Sequence, residues 1–305
     1  GDFILMRSNG MPVYNFCCMI DDAAMQISHV LRGEEHLSNT LRQLMLYEAF
    51  EYQPPKFGHL SMILGENKKK LSKRDAAVSC NDFQTQGFLP DAVLNYVSLL
   101  GWSCESGEEI FTLEQLVKAF KINRLNPAAA VFDIKKMRWI NQQHIRMLSL
   151  DKLWDAIKPF LDNAGLELSD DPKWQIKSLE LFSPNLELLS DAVALYKPLA
   201  HNTYQQTKES PEAKEVLAWD CSKKVIQTWL DQIKNIMHKN NTEHLNTEQF
   251  NDTLNHIKAE CNVKGKELFM PIRVAIIGAP HGAELKSLVP LLSIETLIKR
   301  ALLCL

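Results

Sequence analysis

Short apolar runs open the chain, and amphipathic helical stripes fill most of the rest. Val13 to Ile20 and Ile27 to Leu31 are apolar stretches parted by Asp21-Asp22, which predicts two strands joined by a turn. Aspartates favour such a turn because their carboxylates hydrogen-bond the local backbone. Ser38 or Asn39 stands where a helix cap is needed, Leu37, Leu41, Leu44 and Met45 form the inward stripe of that helix, and Pro54-Pro55 ends it. His59 to Leu64 then reads as a buried strand. Strand, helix and strand in this order predict part of a parallel sheet, whose ligands sit beyond the carboxyl ends of its strands.

Farther along, the period becomes helical. Pro90 starts a helix with Val93, Tyr96, Val97 and Leu100 on one face, and Gly101 closes it. Leu113, Leu116, Val117 and Phe120 repeat the spacing behind Thr112 and Gln115, which fit a capping box. Beyond about Asn141 strand signals nearly vanish. Ile226, Trp229, Leu230 and Ile233 make one stripe, Phe250, Leu254, Ile257 and Cys261 another, and Ile294, Leu297, Ile298 and Ala301 a third. Pro159, Pro271 and Pro290 blur the boundaries around them. The fold class expected is mainly α with an N-terminal α/β part.

A chain of 305 residues implies about two domains, and 46% hydrophobic with 23% charged residues is the composition of an ordinary globular protein. The net charge of -3 provides no global attraction to nucleic acid, so any such contact must come from local basic patches. Seven cysteines, including adjacent Cys17 and Cys18, lack the paired spacing of a zinc site or a disulfide framework, and reduced thiols with no zinc are expected. No apolar stretch is long enough to cross a bilayer, and the first residues lack the order of a signal peptide. The expectation is a cytoplasmic location with no membrane partner.

The sharpest chemical feature is the basic run Lys70, Leu71, Ser72, Lys73 and Arg74 behind the Gly65-Glu66-Asn67 turn. Two lysines three positions apart around a serine can neutralise phosphate oxygens as charge grows on them; a solvated surface loop has the same composition. Arg32 follows a strand-like run, where its planar fork can grip a carboxylate or pair internally with Glu34 or Glu35. Tyr14 can bury its ring and show its hydroxyl to a site, and Cys18, four residues on, can line the same pocket. His36 either borders a nucleotide or is satisfied locally as a helix-entry histidine. Lys223, Lys224, Lys264, Lys266 and Arg273 are candidates for phosphate contact, although isolated lysines on helices are mostly solvated.

Gly1-Asp2-Phe3, Arg7 to Gly10, Tyr14-Asn15-Phe16, Asp21-Asp22, the run His29 to Thr40 and the basic loop come in order at close spacing. Gly87 to Pro90, Leu94-Asn95-Tyr96, Leu100-Gly101-Trp102, Phe132-Asp133, Lys136 to Asn141 and Leu268 to Arg273 continue the series. Together they resemble bacterial-type glutamyl-tRNA synthetase, a class I aminoacyl-tRNA synthetase. The resemblance implies the second half of a Rossmann-like catalytic domain over 1–75, a helical stem-contact region over 76–145 and a helical anticodon-binding domain over 146–305. It implies ATP-dependent activation of L-glutamate and transfer to tRNA(Glu), with tRNA(Gln) a second candidate and Mg2+ accompanying ATP. Lys73 and Lys70 become the catalytic expectation. Lys70, Ser72, Lys73 and His36 are then the ATP-binding set, and Tyr14, Arg32 and Cys18 the glutamate-binding set. The family's His-Ile-Gly-His-type stretch is missing here, so the expectation is a piece of a longer enzyme, inactive alone, with half an ATP site. The alternative is a non-catalytic tRNA-binding module.

Overall fold

The first apolar run winds as a helix. Within Val13 to Ile20 and just beyond it, Phe16, Met19, Ile20 and Ala23 recur at helical spacing and pack against Leu46 and Tyr47, and that face decides between strand and helix. The predicted strand is therefore α1 (Tyr14–Ala24), and Asp21-Asp22 lies in its last turn rather than in a strand-joining turn. A computed structural model describes residues 2–69, 79–240, 242–282 and 284–305. It divides into two units, Gly1–Asn141 and Gln142–Leu305.

In the first unit, β1 (His29–Gly33), α2 (Leu37–Ala49) and β2 (Lys56–Leu60) form the expected strand, helix, strand order. The strands pair in parallel with Arg32 opposite His59. The predicted strand His59 to Leu64 is interrupted at Ser61-Met62; β3 (Ile63–Leu64) instead pairs in parallel with β4 (Ala130–Val131). No residue from His59 to Leu64 is buried, because each described sheet has only two strands and neither face is fully covered.

Helix α2 also turns another side inward than predicted. Its cap is His36, after a 3-10 turn over Glu34–His36, and its buried residues are Thr40, Gln43, Leu46 and Tyr47. Leu37, Leu41, Leu44 and Met45 are exposed. The reason is chemical: β1 and β2 present Arg32 and His59 to α2, and these need polar partners more than apolar ones.

The unit continues with α3 (Cys80–Gln86), α4 (Pro90–Leu99), α5 (Leu113–Ala119) and α6 (Ile134–Met147), the last containing the boundary between units. The Thr112–Gln115 capping box forms as predicted. Tyr96 and Leu116 are buried, while Val97, Leu113, Val117 and Phe120 from the predicted stripes are exposed. Buried Asn95 ties α4 to the following loop, donating to Glu109 O at 2.9 Å and accepting from Phe111 N at 2.9 Å.

The second unit contains α7 (Leu150–Asn163), α8 (Pro172–Phe182), α9 (Ala192–Tyr196), α10 (Tyr204–Lys208) and α11 (Pro211–Leu217). It ends with α12 (Ser222–Asn240), α13 (Thr247–Cys261), α14 (Lys266–Ile277), α15 (Leu285–Leu288) and α16 (Ile294–Leu302). Helix α12 is the axis, and Ile226, Trp229, Leu230 and Ile233 are buried as their spacing predicts. Trp229 meets Phe250 of α13 edge to face at 5.8 Å. Pro159 and Pro271 sit inside α7 and α14 without ending them, and Pro290 lies in a 3-10 turn. A helical proline leaves the carbonyl four residues back without its amide, and that of Glu267 faces the Cys221 thiol at 4.0 Å. Among the described residues no helix is long and apolar enough to cross a membrane.

A buried cation locks this unit. Arg300 of α16, 3% exposed, donates to the carbonyls of Pro198, Ile276 and Ala200 at 2.9, 2.7 and 2.9 Å. Ile276 belongs to the last turn of α14, where the helix dipole favours a positive charge. The guanidinium lies 4.7 Å from the centre of the Tyr204 ring, whose hydroxyl is within 3.0 to 3.2 Å of the carbonyls of Val274, Ala275 and Arg300. Tyr204→Phe removes the one proton those carbonyls share and is expected to cost about 1 to 2 kcal/mol. A thermal melt followed by circular dichroism checks it; an unchanged midpoint would contradict the lock.

Four phenols resist ionisation. Burial pushes Tyr47 and Tyr96 up to about 12, and Tyr196 and Tyr204 are raised more strongly by the same cause. An unfolded chain gives up these protons near pH 10, so the native state binds more protons above that pH and loses stability as pH rises from 10 through 12. Arg300, lowered to about 10 by burial, works in the opposite direction, as does Arg273, lowered by the same cause. In an alkaline titration, phenolate absorbance from the buried rings is expected to appear together with loss of helical signal; full ionisation with the helices intact would contradict their burial.

Candidate functional site

Arg32 is where four elements of the first unit converge. It sits near the end of β1, and its Nη2 donates to Thr40 Oγ1 at 2.5 Å and to Gln43 Oε1 at 2.8 Å, both from α2. The guanidinium carbon lies 5.3 Å from the centre of the Phe57 ring on β2. The Thr40 hydroxyl uses all it has: its proton points to His36 O at 3.2 Å, one lone pair takes Arg32, and the other faces His59 Nε2 at 2.8 Å. Gln43 Nε2 donates in turn to Asn15 Oδ1 of α1 at 3.4 Å. Thr40 and Gln43 are buried, which fixes their rotamers and so the plane of the guanidinium.

These partners are neutral. Among the described residues Arg32 forms no ion pair, so the internal bridge to Glu34 or Glu35 is not made. Glu34 Oε1 instead accepts from Met62 N at 3.3 Å. Arg32 Nε is buried with no hydrogen-bond partner. A donor in that state costs free energy until an acceptor reaches it, and a carboxylate is the acceptor a guanidinium binds most strongly.

The other expected glutamate residues gather at the same place. Tyr14 opens α1 and is 52% exposed, so its ring is not a core aromatic. It stands 5.8 Å from the His36 ring, centre to centre. Cys18, one turn beyond Tyr14, donates to Asp22 Oδ2 at 3.6 Å. Its thiol is raised above the ordinary cysteine range, first by burial and then by the Asp22 carboxylate; a hydrogen bond from Tyr14 and the charge of Arg32 pull the other way. The thiol form is therefore favoured, which fits a pocket wall and not a nucleophile. His36 is satisfied locally, its Nδ1 3.2 Å from Asn39 Nδ2, while its ring still borders Tyr14.

Thr40, Gln43, His59 and Asn15 were not singled out by sequence, and neither was Tyr47. The Tyr47 hydroxyl is buried without a partner and feels Asp22 and Cys18. A faint signal existed: Thr40, Gln43 and Tyr47 recur at helical spacing on a face beside the apolar stripe. Lys70, Ser72 and Lys73 lie outside the described residues. The turn leading to them is tight, with Lys68 N donating to Gly65 O and Gly65 N to Lys69 O, each at 2.9 Å. Among the described residues no cluster of three His, Cys, Asp or Glu side chains is placed to hold a metal ion.

In the second unit, a cavity of about 450 Å³ beside α13 and α14 is lined by Asn251, Asn255, Lys258, Lys264 and Phe269. Phe269 is 45% exposed. Of the predicted phosphate contacts, Lys223, Lys264 and Lys266 are exposed. Lys224 donates to Glu260 O at 3.1 Å and Arg273 to Gly282 O at 3.2 Å, so both also serve the fold.

Residues 1–139 match the family of class I tRNA synthetases for glutamate and glutamine, catalytic domain, and residues 137–301 match the anticodon binding domain family. The glutamate–tRNA ligase of Bdellovibrio bacteriovorus is 49% identical over 301 residues, covering 99% of this chain and 60% of that protein. The glutamate–tRNA ligase of Bacillus subtilis is 37% identical over 306 residues, covering 98% of this chain and 62% of the relative. The crystal structure of a glutamate tRNA ligase from Elizabethkingia meningosepticum in complex with its amino acid superposes with a TM-score of 0.79 at 27% identity, covering 99% of this chain and 62% of that one. The glutamate-tRNA synthetase of Elizabethkingia anophelis gives 0.78 at 28% identity, covering 99% and 61%. The chain thus spans about 60% of the length of the relatives it matches. With a catalytic-domain match, an anticodon-domain match and similarity to glutamate–tRNA ligases along nearly its whole length, this chain belongs to the class I glutamate–tRNA ligase family.

Proposed function

We propose that these residues serve an ATP-dependent ligase that activates L-glutamate as its adenylate and passes the glutamyl group to the 3′ end of tRNA(Glu). The observation that carries this reading is Arg32: a guanidinium fixed by neutral partners, with a buried unpaired Nε, grouped with Tyr14 and Cys18 in a chain of this family. An acidic side chain is the ligand such a cation selects. The α-carboxylate of that amino acid then attacks the α-phosphate of ATP in line, and pyrophosphate leaves. No covalent enzyme intermediate is required, so the protein contributes alignment and charge stabilisation. Lys73 and Lys70, with Ser72, are proposed to meet the growing negative charge on the departing phosphates, and His36 to border the nucleotide. Magnesium enters as the counter-ion of the triphosphate and supplies further charge neutralisation there.

The second unit is proposed to read the tRNA. Half-exposed Phe269 can stack on an unpaired base, the amides of Asn251 and Asn255 can meet base edges, and Lys264 and Lys266 can hold phosphates. A net charge of -3 makes such local cations necessary.

The deciding assay is L-glutamate-dependent exchange of pyrophosphate into ATP with tRNA present. Exchange by the form of the protein that carries a complete ATP site is expected with L-glutamate and not with L-glutamine; tRNA binding by that form without any exchange would favour a non-catalytic module. In the form that supports exchange, Lys73→Ala is expected to slow adenylate formation by at least about tenfold while changing the glutamate KM little, as an interaction made only in the transition state does. Equal losses in both would contradict that role. Replacing Lys264 and Lys266 by alanine is expected to weaken tRNA binding and to reduce the salt dependence of log K by about 0.7 for each phosphate no longer neutralised. A filter-binding series at several salt concentrations reads this, and an unchanged slope would remove both lysines from the interface.

A further inference from the structure

We propose that Gln43, together with Thr40, is a positioning residue that holds the Arg32 guanidinium without neutralising it, and so sets the preference for an acidic ligand over its amide. The inference rests on the glutamate reading of Arg32 and extends it to α2, whose polar residues that reading does not use. A carboxylate that fixes an arginine holds the group and cancels its charge together. Here the two functions are separated. Nη2 is anchored by an amide oxygen at 2.8 Å and a hydroxyl at 2.5 Å, and Phe57 supports the guanidinium from the side, so geometry is set while the full charge stays available.

Gln43 suits the task because it is 1% exposed and tethered at its far end to Asn15 Oδ1, which keeps its oxygen turned to Arg32. Thr40 is held likewise by His36 O and His59 Nε2. Arg32 and the Asp22 carboxylate both act on the Cys18 thiol, which donates to Asp22 Oδ2 at 3.6 Å. A glutamate at position 43 would keep the shape and the hydrogen bond and would add the one thing the site excludes, a carboxylate on Arg32.

The test uses the chain labelled with 15N-arginine, the Arg32 signals being assigned by their loss in Arg32→Lys. In the wild type and in Gln43→Glu, rotation of the Arg32 guanidinium about its Cζ–Nε bond is expected to be slow, and in Gln43→Met, which keeps the volume and drops the acceptor, fast. L-glutamate is expected to shift the Arg32 Nε–H signal and L-glutamine to leave it in place. Gln43→Glu is expected to weaken the glutamate response by about 10- to 100-fold, the factor carried by a hydrogen bond to a charged group. Gln43→Met should weaken it only a few-fold. A residue that merely braced the fold would not separate these variants in this way. Fast rotation in the wild type, or a Gln43→Glu variant that binds L-glutamate as the wild type does, would overturn the proposal. If rotation follows the expected pattern and wild-type Arg32 ignores L-glutamate, the glutamate reading is what fails, and the preference for an acid falls with it.

Discussion

The first unit is organised around one uncompensated positive charge. Placing a guanidinium between two strands and a helix costs desolvation, and the fold offsets this with oriented neutral dipoles instead of a counter-ion. The consequences run outward from Arg32. Helix α2 must turn Thr40 and Gln43 inward, so Leu37, Leu41 and Leu44 face outward; β2 must bring His59 opposite Arg32 in parallel register; and α1 must wind as a helix to bring Asn15, Tyr14 and Cys18 to the same place.

The second unit applies similar chemistry to another end. Arg300 is also a cation held by neutral acceptors, but all of them are backbone carbonyls and the group is almost fully enclosed. Burial lowers its proton affinity and leaves it no access to a ligand. Arg300 is a lock because it is sealed; Arg32 is only partly buried, as the ligand contact proposed for it requires.

Sequence made the helical half legible because its stripes are apolar and periodic: the α12 set Ile226, Trp229, Leu230 and Ile233 faces inward as spacing requires, and the Thr112–Gln115 box forms. The grouping of Arg32 with Tyr14 and Cys18 was legible only through resemblance to a family. Two failures share a cause. The run Val13 to Ile20 is apolar throughout, so length and composition alone could not separate a strand from a helix. Helix α2 carries two competing faces, and spacing alone favours burial of the apolar one, because hydrophobicity ranks single residues and does not register that an arginine across the strand needs acceptors. Pairings such as Arg32 with His59 depend on a strand register that no local pattern encodes.

Arg32 is proposed to read an acidic amino acid. Calorimetric titration of L-glutamate into the protein and into its Arg32→Gln variant tests it most directly, since glutamine can keep a hydrogen bond to Thr40 while removing the charge. Heat of binding from L-glutamate is expected in the wild type, and none in a variant whose far-UV spectrum is unchanged. Equal affinity in both would contradict it.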